Sequence, residues 1–142
     1  MDRVVGTNRR ARHDYEILHT YEAGLVLTGA EVKSLRGGRV SLGDAYAAPE
    51  GREIFLYNLH IARYEKSAPT PINTRRPRKL LLNRGEIDRI IRAVEQKGVT
   101  IIPLKIYFAG GHAKVEIALA RGKRKYDKRE KIREKDEEKR DW

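Results

Sequence analysis

The closing segment of the chain, residues 121–142, limits most strongly how much of this sequence can enter a folded core. It reads RGKRKYDKREKIREKDEEKRDW, and its few large apolar residues do not recur at helical or strand spacing. Such a segment buries too little apolar surface to offset the entropy lost on ordering, so we predict that it is disordered in isolation. The sequence therefore predicts a folded domain over residues 1–120 and a C-terminal tail over residues 121–142.

The tail and the whole chain are both basic, but the charge within the tail is uneven. Residues 121–133 hold eight Lys or Arg and two acids, a net +6, whereas residues 134–142 hold three and five, a net −2. The full chain carries a formal net charge of +11. A basic arm on a basic body is typical of a protein that binds nucleic acid, with an anionic membrane surface as the main alternative.

No segment has the features of a membrane span or a secretion signal. Apolar runs fall well short of the roughly 20 residues of a spanning helix, and residues 1–15 contain no hydrophobic signal core. The chain has no cysteine, which excludes a disulfide framework and a cysteine-based metal site or nucleophile. We therefore expect a cytoplasmic protein that does not associate with membranes.

The pattern along residues 1–120 favours β-structure. Alternation from Tyr15 to Tyr21 predicts a strand, and Ala23-Gly24 predicts a reversal or bulge directly after it. Ala109-Gly110-Gly111 predicts the turn of a late hairpin. Further strands are expected at Leu42–Ala48, Glu53–Ile61, Thr100–Phe108 and His112–Ala120.

Two helices and one long loop are also predicted. A short helix is expected from Glu31 to Arg36, and a longer one after Asn83, whose spacing to Glu86 resembles a capping box. The longer helix carries one apolar face and is expected to end at Gly98, while residues 65–78 read as a loop. Short strands without βαβ alternation predict a mainly β fold, a small OB-like antiparallel β-barrel with a few flanking helices.

Groups suited to catalysis are sparse. The acids Glu22, Glu31 and Asp44 show no spacing that marks a general acid–base pair, and no nucleophile elbow or phosphate-binding loop occurs. A zinc site on strand histidines, or a metal-dependent nuclease with acids from distant strands, stays open as an alternative. We expect no catalytic residue, no metal and no cofactor. The histidines are His13, His19, His60 and His112.

Basic residues, in contrast, form clusters that suit phosphate neutralisation. One cluster surrounds Arg12 and His13, a second lies in the long loop and the strand after it, and a third opens the tail. From these clusters and helix 31–36, the candidate RNA-binding residues are Arg12, His13, Lys33, Arg76, Arg78 and Lys79.

Six short stretches occur in order between about residues 8 and 133. They are NRRARHDY (8–15), YEAGL (21–25), GAEVKSLR (29–36), RPRKLLLN (76–83), HAKV (112–115) and ARGKRKYDKR (120–129). Together they resemble the small protein B family, the SsrA-binding proteins. The resemblance implies an OB-type barrel that binds the tRNA-like domain of transfer-messenger RNA, brings it to stalled 70S ribosomes and replaces the missing anticodon arm. It also implies a monomer that meets elongation factor Tu only through the charged RNA.

The resemblance also assigns residues to the RNA. Asn8, Glu22, Leu81 and Lys114 match positions that the family uses for RNA binding. Glu22 is expected either to accept from a base amino group, or to order a neighbouring arginine, or merely to stabilise a turn. Leu81, in a run of three leucines, either enters the core or packs against an exposed base.

In the tail, the resemblance implies contact with the decoding site and the rRNA of the empty mRNA channel, where the tail becomes helical. Asp127, Lys128 and Arg129 match the family motif, and Tyr126 stands where other members can carry histidine. A stacking role on a decoding-site base is compatible with that change, whereas a proton-transfer or charged-imidazole role is not. Two rivals, a ribosomal protein and an OB-fold RNA-processing enzyme, lack the ordered stretches. The residues expected to contact the ribosome are Lys123, Arg124, Lys125, Tyr126, Asp127, Lys128 and Arg129.

Overall fold

A computed structural model describes residues 3–64 and 72–122 of the chain. Residues 65–71 of the long loop and the tail residues Lys123–Arg129 lie outside this described part, so the predictions for them stay predictions. The elements are, in order, β1 (Arg3–Thr7), α1 (Ala11–Asp14), β2 (Tyr15–Leu25), α2 (Gly29–Arg36), β3 (Val40–Ser41), β4 (Tyr46–Glu50), β5 (Glu53–Tyr57), β6 (His60–Ile61), β7 (Arg78–Leu81), α3 (Arg84–Val94), β8 (Val99–Ala109) and β9 (His112–Gly122).

Six of the described strands pair in a closed ring. The order is β8-β4-β5-β7-β2-β9, and β9 pairs back with β8 through the predicted hairpin. β1 pairs with residues 105–108 of β8, past Ile101, where β4 pairs with the same strand. β3 pairs with β6, and every pair among the described strands is antiparallel. The prediction of a mainly β fold with flanking helices is confirmed.

The inner face of the ring forms the main core, and α3 contributes to it. Ile87 and Ile90 of α3 are buried with strand residues such as Ile54 and Ile117. The predicted capping box is present: the Asn83 side chain accepts from the backbone N–H of Glu86, and the Glu86 side chain accepts from that of Asn83. Since capping satisfies backbone groups that no helical bond can reach, it fixes where α3 begins.

Four sequence predictions differ from the structure in detail. β2 continues through Gly24, because that residue pairs on both sides, and the irregularity in β2 lies earlier, between Ile17 and His19. The run 53–61 is split at Asn58, which has φ +63°. α3 ends at Val94, before Gly98. The run 42–48 becomes extended only from Tyr46, since the Ala45 N–H bonds the Leu42 carbonyl in a turn.

Helix α1 lies on the outer face of the sheet, where it covers a second, smaller core. Ala11 is buried there with Ile102, Leu104, Ala118 and Ala120. The sequence predicted only a basic segment at this place, because one alanine among arginines and a histidine gives no helical periodicity. No helix within residues 3–64 and 72–122 has the length and apolar character to cross a bilayer.

Candidate nucleic-acid interface

Four neighbouring strands bring residues from distant stretches of the chain into one row. Gly24 on β2 is paired with Leu81 on β7 and with Lys114 on β9, and Lys114 is paired with Tyr107 on β8. Glu22 lies two residues before Gly24, and its side chain reaches both Lys114 and Tyr107. Three of the four positions matched to the RNA-binding family, Glu22, Leu81 and Lys114, therefore lie together; we call Glu22, Gly24, Leu81, Tyr107 and Lys114 the sheet row.

The carboxylate of Glu22 is the electrostatic centre of the sheet row. The Tyr107 hydroxyl donates to Oε2, and the Lys114 ammonium nitrogen lies 3.2 Å from Oε1. The Tyr107 hydrogen bond, followed by the contacts of Lys114, lowers the pKa of Glu22 below its ordinary value. Glu22 therefore stays ionised while more than half of its side chain faces solvent. It lies within a strand and orders a lysine, so the turn-stabilising and arginine-ordering alternatives do not apply.

Leu81 and Gly24 form the apolar part of the sheet row. Leu81 is 54% exposed although it adjoins the fully buried Leu80, because alternate residues of a strand face opposite sides. The structure thus excludes the core alternative for Leu81. A Cβ at Gly24 would stand 3.2 Å from the Leu81 Cβ and 3.4 Å from its Cδ1. Glycine at position 24 therefore leaves the leucine side chain room to lie against the strand.

Asn8 holds the basic first helix against the sheet. Its side-chain amide donates to the Pro103 carbonyl at 3.1 Å, and its backbone N–H donates to the Leu104 carbonyl at 2.8 Å. Leu104 is three residues from Tyr107 along β8, or roughly 10 Å at the usual strand rise. Asn8 therefore lies close to the sheet row but outside it.

Arg12 and His13 lie on α1, beside the cleft that separates this helix from residues 40–44. Both side chains are exposed, and the His13 Nδ1 is 3.1 Å from the Asp14 carboxylate. Arg9 and Arg10 line the same cleft. Arg9, Arg10 and Arg12, with His13 beside them, form a second basic surface on the α1 side of the sheet row.

Arg78 is a correction to the sequence analysis. Its side chain is fully buried, and its guanidinium donates to Glu31 Oε2 at 2.8 and 2.6 Å and to the carbonyls of Leu59 and Thr74. Arg76, about one-third exposed, donates to the same carboxylate at 3.1 and 2.5 Å. In this structure Arg78 cannot offer its guanidinium to a phosphate, because it joins β7 and the loop before it to α2.

The carboxylate of Glu31 is charged within this network. Burial alone would raise its pKa, but hydrogen bonds from Arg76, from the Thr28 backbone and from Arg78 outweigh burial, so its pKa lies below the ordinary value. Burial lowers the pKa of Arg78, and Glu31 opposes that shift. An arginine keeps its charge under either influence, so the network joins one carboxylate to two guanidiniums.

The two predicted lysines occupy different places. Lys79 is exposed on β7, two residues before Leu81 on the same face, with its ammonium 3.8 Å from Glu53. Lys33 lies on α2, which packs on β6, and its ammonium is 5.4 Å from the centre of the Tyr64 ring. The fold thus brings Lys79 to the sheet row and leaves Lys33 outside it.

Sequence analysis missed Tyr107 and Gly24 as parts of this site. Tyr107 reads as a wall residue of a strand, and the pairing register that sets it opposite Lys114 cannot be read from one sequence. Within residues 3–64 and 72–122, no three histidines or acids lie close enough together to hold a metal ion.

The sheet row has the chemistry to receive a nucleotide. A carboxylate can accept from a base amino group, a lysine can neutralise a phosphate, and an exposed leucine can pack against a base. All three groups are presented by paired strands, which fix their spacing. A ligand that offers only phosphates can bind Lys114 but is repelled by Glu22. The arrangement therefore favours a ligand that also carries hydrogen-bond donors, as a base amino group does.

Comparison with known proteins shows the family of this chain. The family model described as SmpB protein matches residues 5–141. The SsrA-binding protein of Salinispora tropica is 54% identical over 134 residues, covering 94% of this chain and 84% of the relative. That of Carboxydothermus hydrogenoformans is 48% identical over 136 residues, covering 96% and 91%.

A solved structure is also similar to this chain in both sequence and fold. It is described as "tmRNA-SmpB: a journey to the center of the bacterial ribosome", and one of its chains is 56% identical to this protein. The superposition has a TM-score of 0.70 and covers 83% of both chains. With a family match over almost its whole length, and relatives about half identical to it, this chain belongs to the SmpB family.

Proposed function

We propose that this protein binds transfer-messenger RNA and acts with it in trans-translation on stalled bacterial ribosomes. The observation that carries the proposal is the convergence of Glu22, Leu81 and Lys114, from three separate stretches of sequence, in one row of paired strands. The relatives are SsrA-binding proteins, and the similar solved structure contains tmRNA and SmpB in connection with the bacterial ribosome. The family therefore supports an RNA-binding task for this site.

The sheet row is the proposed contact with the tRNA-like domain of that RNA. Lys114 meets a phosphate, Glu22 accepts from a base amino group, and Leu81 packs on an exposed base. Asn8, Arg12 and His13 extend the contact along the RNA backbone. Salt dependence follows, because each phosphate that is neutralised releases counterions.

The tail is proposed to act at a second place, the ribosome. Gly122, the last described residue, pairs with Tyr15, and Lys114 lies eight residues earlier on the same strand. At the usual strand rise the tail therefore departs roughly 26 Å from Lys114. This separation suits a protein that holds the RNA at one end while residues 123–129 enter the mRNA channel and the decoding site, so that the folded domain replaces an anticodon arm.

The proposal also covers the partners of the protein and its functional class. We propose a non-enzymatic monomer that works without a cofactor and meets elongation factor Tu only through the charged RNA. A ribosomal protein is the alternative that charge alone favours, since it is equally basic. It differs in one measurable respect: the ribosome binds it whether or not transfer-messenger RNA is present.

Direct binding to the tRNA-like domain tests the proposal. Lys114→Ala and Leu81→Ala are compared with Lys97→Ala, an exposed lysine in the turn after α3. We expect Lys114→Ala to weaken binding and to reduce the slope of log affinity against log salt by about 0.9, the share of one phosphate. Leu81→Ala should weaken binding with an unchanged slope, and Lys97→Ala should have no effect. Wild-type affinity in both site variants would reject the sheet row as the RNA site.

A further inference from the structure

Three aromatic side chains lie on the outer face of the ring, next to the sheet row. Tyr46 on β4 is paired with Tyr57 on β5, and Phe55 follows two residues away on the same face of β5. Their neighbours Ala47, Ile54 and Leu56 are buried in the main core. Since alternate residues of a strand face opposite sides, the three rings point outward.

The rings form one surface. The Tyr46 and Tyr57 rings stack with centroids 5.5 Å apart and planes at 23°, and Phe55 is tilted against Tyr57 at 6.5 Å. Tyr46 is 46% exposed. The helices pack mainly on β2, β6, β8 and β9, so the face of β4 and β5 is left with exposed aromatic area. We call Tyr46, Phe55 and Tyr57 the aromatic face.

The aromatic face adjoins the sheet row through β7. Phe55 is paired with Lys79, and Lys79 lies two residues before Leu81 on the same side of the strand. Val26, which is also exposed, donates its backbone N–H to the Lys79 carbonyl. An RNA strand that packs on Leu81 therefore needs only one or two further nucleotides to reach Phe55.

The two acids on this face have different partners. Glu50 accepts a hydrogen bond from the Tyr57 hydroxyl, which raises the pKa of Tyr57, and Glu53 lies 3.8 Å from Lys79. Lys79 is paired with Glu53, and the hydrogen bond from Tyr57 leaves Glu50 negative, so these groups do not attract a phosphate. Base stacking, which needs no net charge, is the interaction that such a surface offers to RNA.

We propose that the aromatic face is a stacking platform for unpaired bases of the transfer-messenger RNA whose neighbouring nucleotides occupy the sheet row. The inference rests on the proposed function and extends it to Tyr46, Phe55 and Tyr57. A cross-strand aromatic pair also stabilises its hairpin, but that role does not require the pair to adjoin the RNA site or to present open ring area. Leu81 of the sheet row and Lys79, the partner of Phe55, both lie on β7. Because the two surfaces adjoin along this strand, RNA is the favoured occupant of the aromatic face.

The test uses the full chain and the tRNA-like domain, with affinity measured at several salt concentrations. Tyr46→Ala should weaken binding by about 5- to 150-fold, the loss of one stacked base, while the salt slope stays at the wild-type value. Tyr46→Phe keeps the ring and should retain wild-type affinity. Chemical probing of the RNA should show unpaired bases that wild-type protein protects and Tyr46→Ala leaves reactive. Thermal unfolding of each variant separates a lost contact from a lost fold.

Wild-type RNA affinity in Tyr46→Ala would overturn the platform. If that variant also bound the ribosome weakly, the face would have a ribosomal occupant instead. Lys114→Ala keeps this result separate from the main proposal: if Lys114→Ala still weakens binding, only the platform fails, whereas wild-type affinity in both variants rejects the RNA site itself.

Discussion

Glu22 and Lys114 form an ion pair across adjacent strands, with the ammonium nitrogen 3.2 Å from the carboxylate oxygen. The lysine is therefore partly neutralised before any RNA arrives. An RNA that offers only phosphates must compete with Glu22, whereas one that also offers a base amino group satisfies both residues. We therefore expect the pair to act as a filter against non-specific RNA binding.

Replacing the carboxylate of Glu22 should weaken this filter. Glu22→Gln keeps the size of the side chain but removes the charge that attracts Lys114 and repels phosphate. We expect the variant to bind an unrelated RNA hairpin several-fold more tightly, while its preference for the tRNA-like domain falls. Filter binding of both RNAs at one salt concentration measures the two effects. Unchanged affinity for the hairpin would show that Glu22 does not screen Lys114.

A methyl group at position 24 should disturb the apolar part of the site. Gly24→Ala places a Cβ 3.2 Å from that of Leu81, closer than side chains comfortably approach. Because Leu81 is exposed, it can shift outward, so we expect weaker RNA binding with little loss of thermal stability. Gly29→Ala, at the start of α2 and outside the sheet row, where a Cβ meets nothing within 4 Å, is the matched control. Wild-type affinity in Gly24→Ala would show that the position of Leu81 is unimportant.

The Glu31 cluster should be required for stability. Glu31→Gln leaves the buried Arg78 guanidinium without its counter-charge, and breaking one partner of a buried ion pair costs about 3–5 kcal/mol. We expect a loss of that size in the free energy of urea unfolding at neutral pH. Glu53→Gln removes a carboxylate from an exposed pair and should cost less than about 1 kcal/mol. Equal stability of the two variants would contradict the structural role of the cluster.

The contribution of Glu31 should also depend on pH. Its pKa is lowered in the folded protein, so the unfolded chain binds its proton more readily. The stabilisation is complete above the ordinary pKa of 4.5 and is lost as the pH falls through the lower, folded value. The difference in unfolding free energy between wild type and Glu31→Gln should therefore shrink on acidification. A difference that stays constant down to that range would mean that Glu31 is not ionised in the fold.

The folded domain and the tail should separate by function. A chain ending at Gly122 keeps the pairing of Gly122 with Tyr15, so we expect near wild-type affinity for the tRNA-like domain. Peptide tagging on stalled ribosomes in a reconstituted system should be lost, because the proposed channel contacts are absent. Tagging at the wild-type rate would exclude a role for the tail.

Much of the fold was predictable because its signals are local. The hairpin turn at Gly110-Gly111, the cap of α3 at Asn83 and its apolar face each depend on residues within one or two turns of one another. β1 and α1 were missed for the opposite reason: β1 is set by pairing with β8, and α1 by burial of Ala11 against residues about 90 positions or more away.

The site was predictable in its residues but not in its geometry. The family resemblance pointed to Glu22, Leu81 and Lys114, yet the register that joins them through Gly24 appears only in the folded chain. Arg78 looked like its basic neighbours because a sequence shows charge and not burial. Its partner Glu31 lies 47 residues away, so no local pattern marks the pair.

Competition between RNAs at one fixed salt concentration tests the central claim most directly. Labelled tRNA-like domain of transfer-messenger RNA, bound to the full-length protein, is challenged with elongator tRNA and with an unrelated hairpin of equal length. Recognition through the sheet row predicts that both competitors displace it poorly, while unlabelled tRNA-like domain displaces it fully. Equal displacement by all three RNAs would contradict the claim, because it would mean that charge alone binds the RNA.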